Sequence, residues 1–462
     1  MARFIPDEPG EEEGLLRELG ISSTEELFRD VPQKVRLGRL GVGAALEERE
    51  VVALLDRLLA KNRPFTKDPA FLGGRIPIRF LPAAVDAILQ RSEFYTSYTP
   101  YQPEASQGML QALFEFQSLW VELTGLDAAN ASLYDGATAA GEALLLCHRI
   151  RPGRRFLVPS SLPWEEKSVL ANYATGPGVR VEEIPFDPAT GRLDLDAVRA
   201  EVARGNVCGL LADLPNGFGV VDEGLPELKG ILGDLPLVVS ADPLALTVLE
   251  PPGTWGADVV IGEGQGFGMP PSYGGPLLGL FACRSEHLRM TPGRIVGATR
   301  DAEGRRAFSL TLQTREQHIR RSRATSNICT NESLLALAFV AYASVVGPRG
   351  LAELAQRLNE RARTLASALA EVPGLRAPAF DAPYLWEFAV AVADGDADAF
   401  LERVRRGRVL GGSPLSDPRP GAPAGLGGLF LTAATEYTDE RAIRKYARLA
   451  RGAVRAPPGG AA

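Results

Sequence analysis

Val207-Cys-Gly-Leu-Leu-Ala-Asp213-Leu-Pro-Asn216 is a nearly unbroken apolar run that ends in an acid, a proline and an amide. A run without alternation between an oily and a wet side belongs to a strand covered on both faces. Runs of the same kind lie at 156–159, 179–184, 235–240, 259–261 and 277–282. Helical patterns separate the earlier ones, at 164–173 and 195–203. Two more helices come before them: 105–124, with Met109, Leu113, Phe116, Trp120 and Leu123 at three- and four-residue spacing, and one opened by Gly136-Ala-Thr138. Strands and helices in this alternation predict a large, doubly wound, mostly parallel α/β sheet. Ligands of such sheets collect beyond the carboxyl ends of the strands. Asp213-Leu-Pro-Asn216, Asp242-Pro243 and Gly262-Glu-Gly-Gln-Gly-Phe-Gly268 fall there, around one crevice.

Outward from this sheet, residues 1–60 read as a helical arm, with helices at 11–19, 23–28 behind a Ser/Thr cap, and 46–59. Such an arm suits packing on a neighbouring subunit. The large domain spans 61–346. A second helix follows Gly347-Pro348 and runs through 350–372, leading into a small C-terminal α/β domain, 347–462, with strands at 385–392 and 429–432 and helices at 397–406 and 439–451. Residues 411–428 read as a loop full of breakers and 456–462 as a disordered tail.

Composition narrows the function classes. The chain has 462 residues, a net charge of −7 and no long Lys/Arg run, so neither nucleic acid nor an anionic membrane surface is an expected partner. No apolar run approaches the length of a membrane span, and Met-Ala-Arg-Phe-Ile-Pro-Asp-Glu lacks a signal-peptide core, which predicts a cytoplasmic protein. Cys147, Cys208, Cys283 and Cys329 are scattered without metal spacing and read as reduced thiols. The excess of Arg over Lys and the abundant Pro fit a thermophile or a GC-rich genome equally.

Two stretches concentrate side chains suited to binding. Tyr95-Thr-Ser-Tyr98-Thr-Pro-Tyr101-Gln-Pro103-Glu104 is stiff and extended, since each proline fixes its own φ and restrains the residue before it. It reads either as a rigid aromatic wall or as a surface turn covering a core edge. Arg323-Ala-Thr325-Ser326-Asn327-Ile-Cys329-Thr330-Asn331 is a dense polar turn before a helix, fit for a phosphate or carboxylate or else for capping. Cys329 is expected to pack beside this turn, and His318 to lie on a solvated basic face.

These stretches, together with Asn130-Ala-Ser-Leu-Tyr-Asp-Gly-Ala-Thr138, Gly262–Gly268 and 312–331, closely resemble the glycine decarboxylase P-protein of the glycine cleavage system. More narrowly, the chain is similar to the N-terminal half of that protein occurring as a separate chain, subunit 1, over about residues 4–446. The resemblance implies the pyridoxal-phosphate-dependent aspartate-aminotransferase-like fold. By the same resemblance the assembly decarboxylates glycine and passes the aminomethyl group to lipoylated H-protein, with a homologous subunit 2 in an α2β2 complex.

Chemistry on pyridoxal 5'-phosphate needs a lysine, a carboxylate facing the pyridine nitrogen and a phosphate cup. By resemblance the cup is Asp135, Gly136, Ala137 and Thr138, which equally suits a capped helix start, and the carboxylate is Asp242, although Pro243 is unusual there. Gln265 stands near the lysine position, and no lysine occurs between Lys229 and Lys445. A glutamine cannot form an imine, so these residues are expected to be vestigial and no catalytic residue is expected in this chain alone. The cofactor is expected on the partner. Tyr95, Tyr98, Tyr101, Arg323, Thr325, Ser326, Asn327, Thr330 and Asn331 would then wall the partner's site. The alternatives are a scaffold or regulatory subunit, or an independent pyridoxal-phosphate-binding enzyme.

Overall fold

The computed structural model describes residues 10–38, 41–96, 98–416 and 426–454. The chain divides into two compact units, Met1–Arg63 and Pro64–Ala462. In the first unit, α1 (Glu11–Leu19) and α2 (Glu48–Leu59) bury no residue, and Leu55, Leu58 and Leu59 of α2 are exposed. Glu47 and Glu50 cap α2 reciprocally. The expected helix at 23–28 is instead a 3-10 turn, Thr24–Phe28, and Ser23 makes no side-chain cap. Glu26 accepts from the Ser22 backbone N–H and hydroxyl instead, which draws the chain into the tighter turn.

The second unit opens with α3 (Ala83–Leu89), α4 (Ser92–Tyr95) and α5 (Gln107–Thr124), so Tyr95 closes a short helix and the stiff segment begins after it. A large sheet follows, built from β1 (Ala128–Ala129), β2 (Arg155–Pro159), β3 (Arg180–Ile184), β4 (Val207–Leu214), β5 (Leu237–Ala241), β6 (Val259–Glu263) and β7 (Gly279–Cys283). Helices α6 (Gly136–Ile150), α7 (Trp164–Thr175), α8 (Leu195–Ala203) and α9 (Leu228–Leu232) connect its strands. The order is β1-β7-β6-β5-β4-β2-β3. β6, β5, β4, β2 and β3 are parallel, and β7 and β1 add antiparallel at one side.

The runs of β2, β4, β5 and β6 thus become the parallel core, while 277–282 gives the antiparallel β7 and 179–184 the edge strand β3. Successive residues point to opposite faces. Leu157, Leu210, Val239 and Val260 pack with α5 on one face, while Phe156, Val158, Leu211, Val238 and Ile261 pack with α6 and α7 on the other. Met109, Leu113, Phe116 and Trp120 of α5 are buried. Each such side chain stabilises the fold by roughly 2 kcal/mol. The edge strand β3 instead carries Arg180, Glu182 and Glu183, charges that suit an unpaired edge.

A hairpin of β8 (Ile295–Arg300) and β9 (Arg306–Thr311), which the sequence pattern does not announce, is followed by the single-turn α10 (Gln317–Arg320). The long α11 (Ser333–Ala370) is broken at Gly347 (φ 72, ψ 166) just before Pro348. It is long and apolar enough to cross a membrane, but half of its apolar window is buried within the protein, as befits a core helix. Its first part packs on α3 and α5, with Phe339 against Phe116 and Phe267 and Tyr342 against Phe267, and its last through Leu365 and Leu369 on a second core. That core belongs to the four-stranded antiparallel sheet of β10 (Leu375–Arg376), β11 (Glu387–Val392), β12 (Ser413–Pro414) and β13 (Leu429–Ala433), with α12 (Ala397–Arg406) and α13 (Glu440–Ala453) against it. β12 lies inside the expected 411–428 loop; the rest of that loop from 417 to 425, and the 456–462 tail, fall outside the described residues.

Gly141 of α6 shows how closely the layers approach. A Cβ there would lie 2.6 Å from the ring of Tyr173 on α7. Gly141→Ala is expected to cost about 1–3 kcal/mol through overpacking, read as a lower urea midpoint. Adding Tyr173→Leu should recover part of the loss.

Candidate functional site

The carboxyl ends of β2, β4, β5 and β6 open into a cavity of about 460 Å³, closed by the segment Gly73–Arg79 and by Glu387 and Leu431 of the small sheet. The Gly73–Arg79 segment is held by pairing of Leu72 with Thr432 and by a bond from Gly74 N–H to the Glu387 carboxylate (2.8 Å). From it Arg75 reaches into the cavity. Its Nε donates to Glu166 of α7 and its Nη2 to Asp213 at the end of β4, each at 2.5 Å. Burial drives both carboxyls up and the guanidinium draws them down; Arg75 itself stays charged, its pKa raised by the two acids against burial. Glu387 is pushed up to about 7 by burial, against Gly74 N–H and the nearby Arg75 and Arg79.

The expected phosphate cup is a capped helix start. Asp135 Oδ1 accepts from Thr138 N–H (2.6 Å), and Thr138 Oγ1 accepts from Asp135 N–H (3.1 Å). Gly136 N–H donates to Glu263 Oε2 (3.0 Å), while Glu263 Oε1 accepts from Gln265 N–H and Leu278 N–H, both at 2.9 Å. Burial pushes Glu263 up to about 7 in spite of these three donors. Asp242 lines the cavity, and its Oδ1 caps its own turn at Leu244 N–H (2.8 Å). Gln265 is wholly buried, and its side-chain amide donates to Met269 C=O (2.6 Å).

Lys167 is the lysine that lines the cavity, and its Nζ is turned to Ser160 C=O (2.8 Å) and Glu183 (2.6 Å). Lys229 pairs with Asp258 (2.8 Å). Pyridoxal phosphate does not fit this crevice as it stands. Glutamine occupies the turn after β6, a carboxylate already takes the first N–H of α6, and an Arg–Glu–Asp cluster holds the cavity wall.

The second group of candidates gathers elsewhere, outside this cavity. Tyr98 OH lies 3.1 Å from Thr330 Oγ1. Tyr101 OH accepts from Arg294 (2.8 Å), whose guanidinium also stacks 5.1 Å over the tyrosine ring. Arg294 donates onward to Asn331 Oδ1 (3.1 Å), and Asn331 Nδ2 donates to Ala131 C=O (2.6 Å). Ser326 donates to Glu142 (2.7 Å), and Thr325 C=O accepts from Arg149 (2.8 Å). Tyr95, Tyr98, Arg323 and Asn327 are exposed. Asn331 is buried and does not cap α11, whose N-cap is Glu332. Cys329 is exposed, contrary to the expectation of packing: it sits in an outward-facing turn beside Asn327 while Ile328 takes the core position. His318 is half-exposed, near Glu316 (3.6 Å) and edge-on to Tyr101.

Arg75, Glu166, Glu387 and Arg294 carry no local signal in the sequence. Glu263 did lie inside a stretch singled out for its glycines, where an acid at a strand's carboxyl end was the available clue.

Sheet order, crevice position and small antiparallel domain define the fold of the pyridoxal-phosphate-dependent fold type I enzymes. Solved structures sharing it at low identity include glutamate decarboxylase from Lactobacillus brevis (TM-score 0.66, 12% identity, covering 92% of this chain and 97% of that one). A crystal structure of glycine decarboxylase (P-protein) of the glycine cleavage system, in inhibitor-bound form, superposes with a TM-score of 0.87 at 37% identity, covering 98% of this chain and 100% of that chain. The family model for the glycine cleavage system P-protein matches residues 2–409. A probable glycine dehydrogenase (decarboxylating) subunit 1 from Anaeromyxobacter dehalogenans is 44% identical over 457 residues, 98% of this chain and 100% of the relative. Its counterpart from Aeropyrum pernix is 41% identical over 414 residues, 87% of this chain and 89% of that protein. The chain belongs to the glycine cleavage system P-protein family.

Two measurements check the electrostatics of the crevice. Arg75→Met leaves Glu166 and Asp213 buried without their cation and is expected to cost about 3 kcal/mol near neutral pH. The deficit should narrow in acid, as both carboxyls take up protons. Glu387 holds its proton more tightly in the fold than the ordinary 4.5, so its contribution is full below that pH and is lost as pH rises to about 7. Glu387→Gln should therefore remove a fall in urea stability between those values, at most about 3 kcal/mol.

Proposed function

We propose that this chain is subunit 1 of glycine decarboxylase, the P-protein of the glycine cleavage system, which decarboxylates glycine and transfers the aminomethyl group to lipoylated H-protein. It works in the cytoplasm with a homologous, lysine-bearing subunit 2, in an α2β2 assembly, and is inactive alone. The observation that carries the reading is Gln265, buried in the turn after β6 and committed to Met269 C=O. An amide supplies no nucleophilic amine. Pyridoxal phosphate then belongs to the partner subunit, and this chain completes that site from outside.

The exposed polar tier supports the role. Arg294 fixes Tyr101 and Asn331 together, while Tyr98, steadied by Thr330, and Arg323 remain turned outward. Phenols in such a wall exclude water from a neighbouring site and hydrogen-bond substrate, and an exposed guanidinium suits a carboxylate or phosphate. The exposed apolar residues of α2 suit the neighbour-packing role expected of the arm.

Borohydride reduction of the co-purified complex, followed by peptide mapping, should place the pyridoxal adduct on the partner and none on this chain. A specific adduct on a lysine of this chain overturns the reading. In the same complex, Tyr98→Phe and Arg323→Ala should each lower turnover by roughly tenfold or more without loss of assembly. Wild-type turnover in both variants would make the chain a scaffold or regulatory subunit instead.

A further inference from the structure

We propose that Glu263 is an internal ligand of the anion cup at the start of α6, so that the crevice of this chain is closed to phosphate esters. The first N–H groups of a long helix lack helical partners and lie at its positive end, which draws anions. Here two of those groups are already taken. Gly136 N–H goes to Glu263 and Thr138 N–H to Asp135.

Space is short as well. A Cβ at Gly136 would stand 3.2 Å from Glu263 Cβ, 3.3 Å from Glu263 N and 3.3 Å from Gly262 C=O. These contacts hold the start of α6 against the end of β6, and a phosphate reaches Gly136 N–H only if the Glu263 carboxylate leaves it. Leaving is costly, because the same carboxyl group also holds Gln265 N–H and Leu278 N–H, the two ends of the loop between β6 and β7. That loop carries Tyr273 at its tip, 98% exposed. Asp135 adds a second acid beside the cup, unfavourable to a dianion. One side chain therefore both blocks the cup and staples the loop.

The inference rests on contacts within this chain, and its failure would leave the proposed wall of Tyr98 and Arg323 untouched. The test uses the full chain, alone and co-purified with its partner, with inorganic phosphate and pyridoxal phosphate as probes. Hydrogen exchange read by mass spectrometry follows residues 133–146. In the wild type neither probe should protect this segment saturably or raise the thermal midpoint of the lone chain. Glu263→Ala should gain phosphate-dependent protection there, with binding roughly tenfold tighter or more than wild type. Glu263→Gln keeps the bulk, and its oxygen can stay with Gln265 and Leu278 N–H, but its NH2 then presents a donor to Gly136 N–H, so exchange at Gly136 should quicken without any gain in phosphate binding.

Saturable protection of 133–146 by phosphate in the wild type overturns the proposal. So does a folded Glu263→Ala chain that binds phosphate no better than wild type. Should that variant fail to fold, the wild-type titration and the quickened exchange in Glu263→Gln decide the matter in the same way.

Discussion

Arg75 ties together parts of the chain that lie far apart in sequence. The strand-like lead-in to it pairs with β13 at Leu72, its neighbour Gly74 binds Glu387 of β11, and its guanidinium joins α7 to the end of β4. Small sheet, connecting helix and large sheet thus converge on one side chain. Bringing two acids and a cation out of water is expensive, and their mutual attraction offsets it only when geometry is good and every partner stays in place. The cluster is accordingly a constraint on position more than a source of stability.

The crevice lies where ligands of doubly wound sheets collect, beyond the carboxyl ends of the strands. Four parallel strands deliver Ser160, Asn216, Asp242 and Glu263 to one opening. Polar groups at this opening are satisfied by each other: Asp135 with Thr138, Glu263 with Gly136, Asp242 with its own turn. A buried polar group without a partner costs more than the group gains when paired. Such an opening therefore favours side chains that supply partners internally, and the carboxylates here do so.

The parts of this molecule legible in sequence are those governed by neighbours along the chain. The β-runs at 207–211 and 259–261 are apolar without alternation because both faces are covered, and that pattern survives in one dimension. The Asp135–Thr138 cap spans three residues and was equally visible. Arg75 was not, because its partners Glu166 and Asp213 lie 91 and 138 positions away, and Gly74 meets Glu387 across 313. The β8–β9 hairpin escaped because β8 goes from buried Ile295 and Val296 through Gly297 to exposed Ala298, Thr299 and Arg300, a pattern neither continuous nor alternating. The exposed Tyr98 and the buried Asn331 were singled out together by composition, yet only Asn331 is consumed by internal bonds through Arg294 and Ala131.

Helix α6 is gripped at more than one point. Its first residue is pinned by Glu263, and further along Glu142 holds Ser326 and Arg149 holds Thr325 C=O. A helix of four turns is stiff over this length, so the two grips move as one body. α6 therefore works as a strut between the crevice and the outward-facing turn that carries Arg323. Crevice floor and outward-facing turn thus share one rigid support.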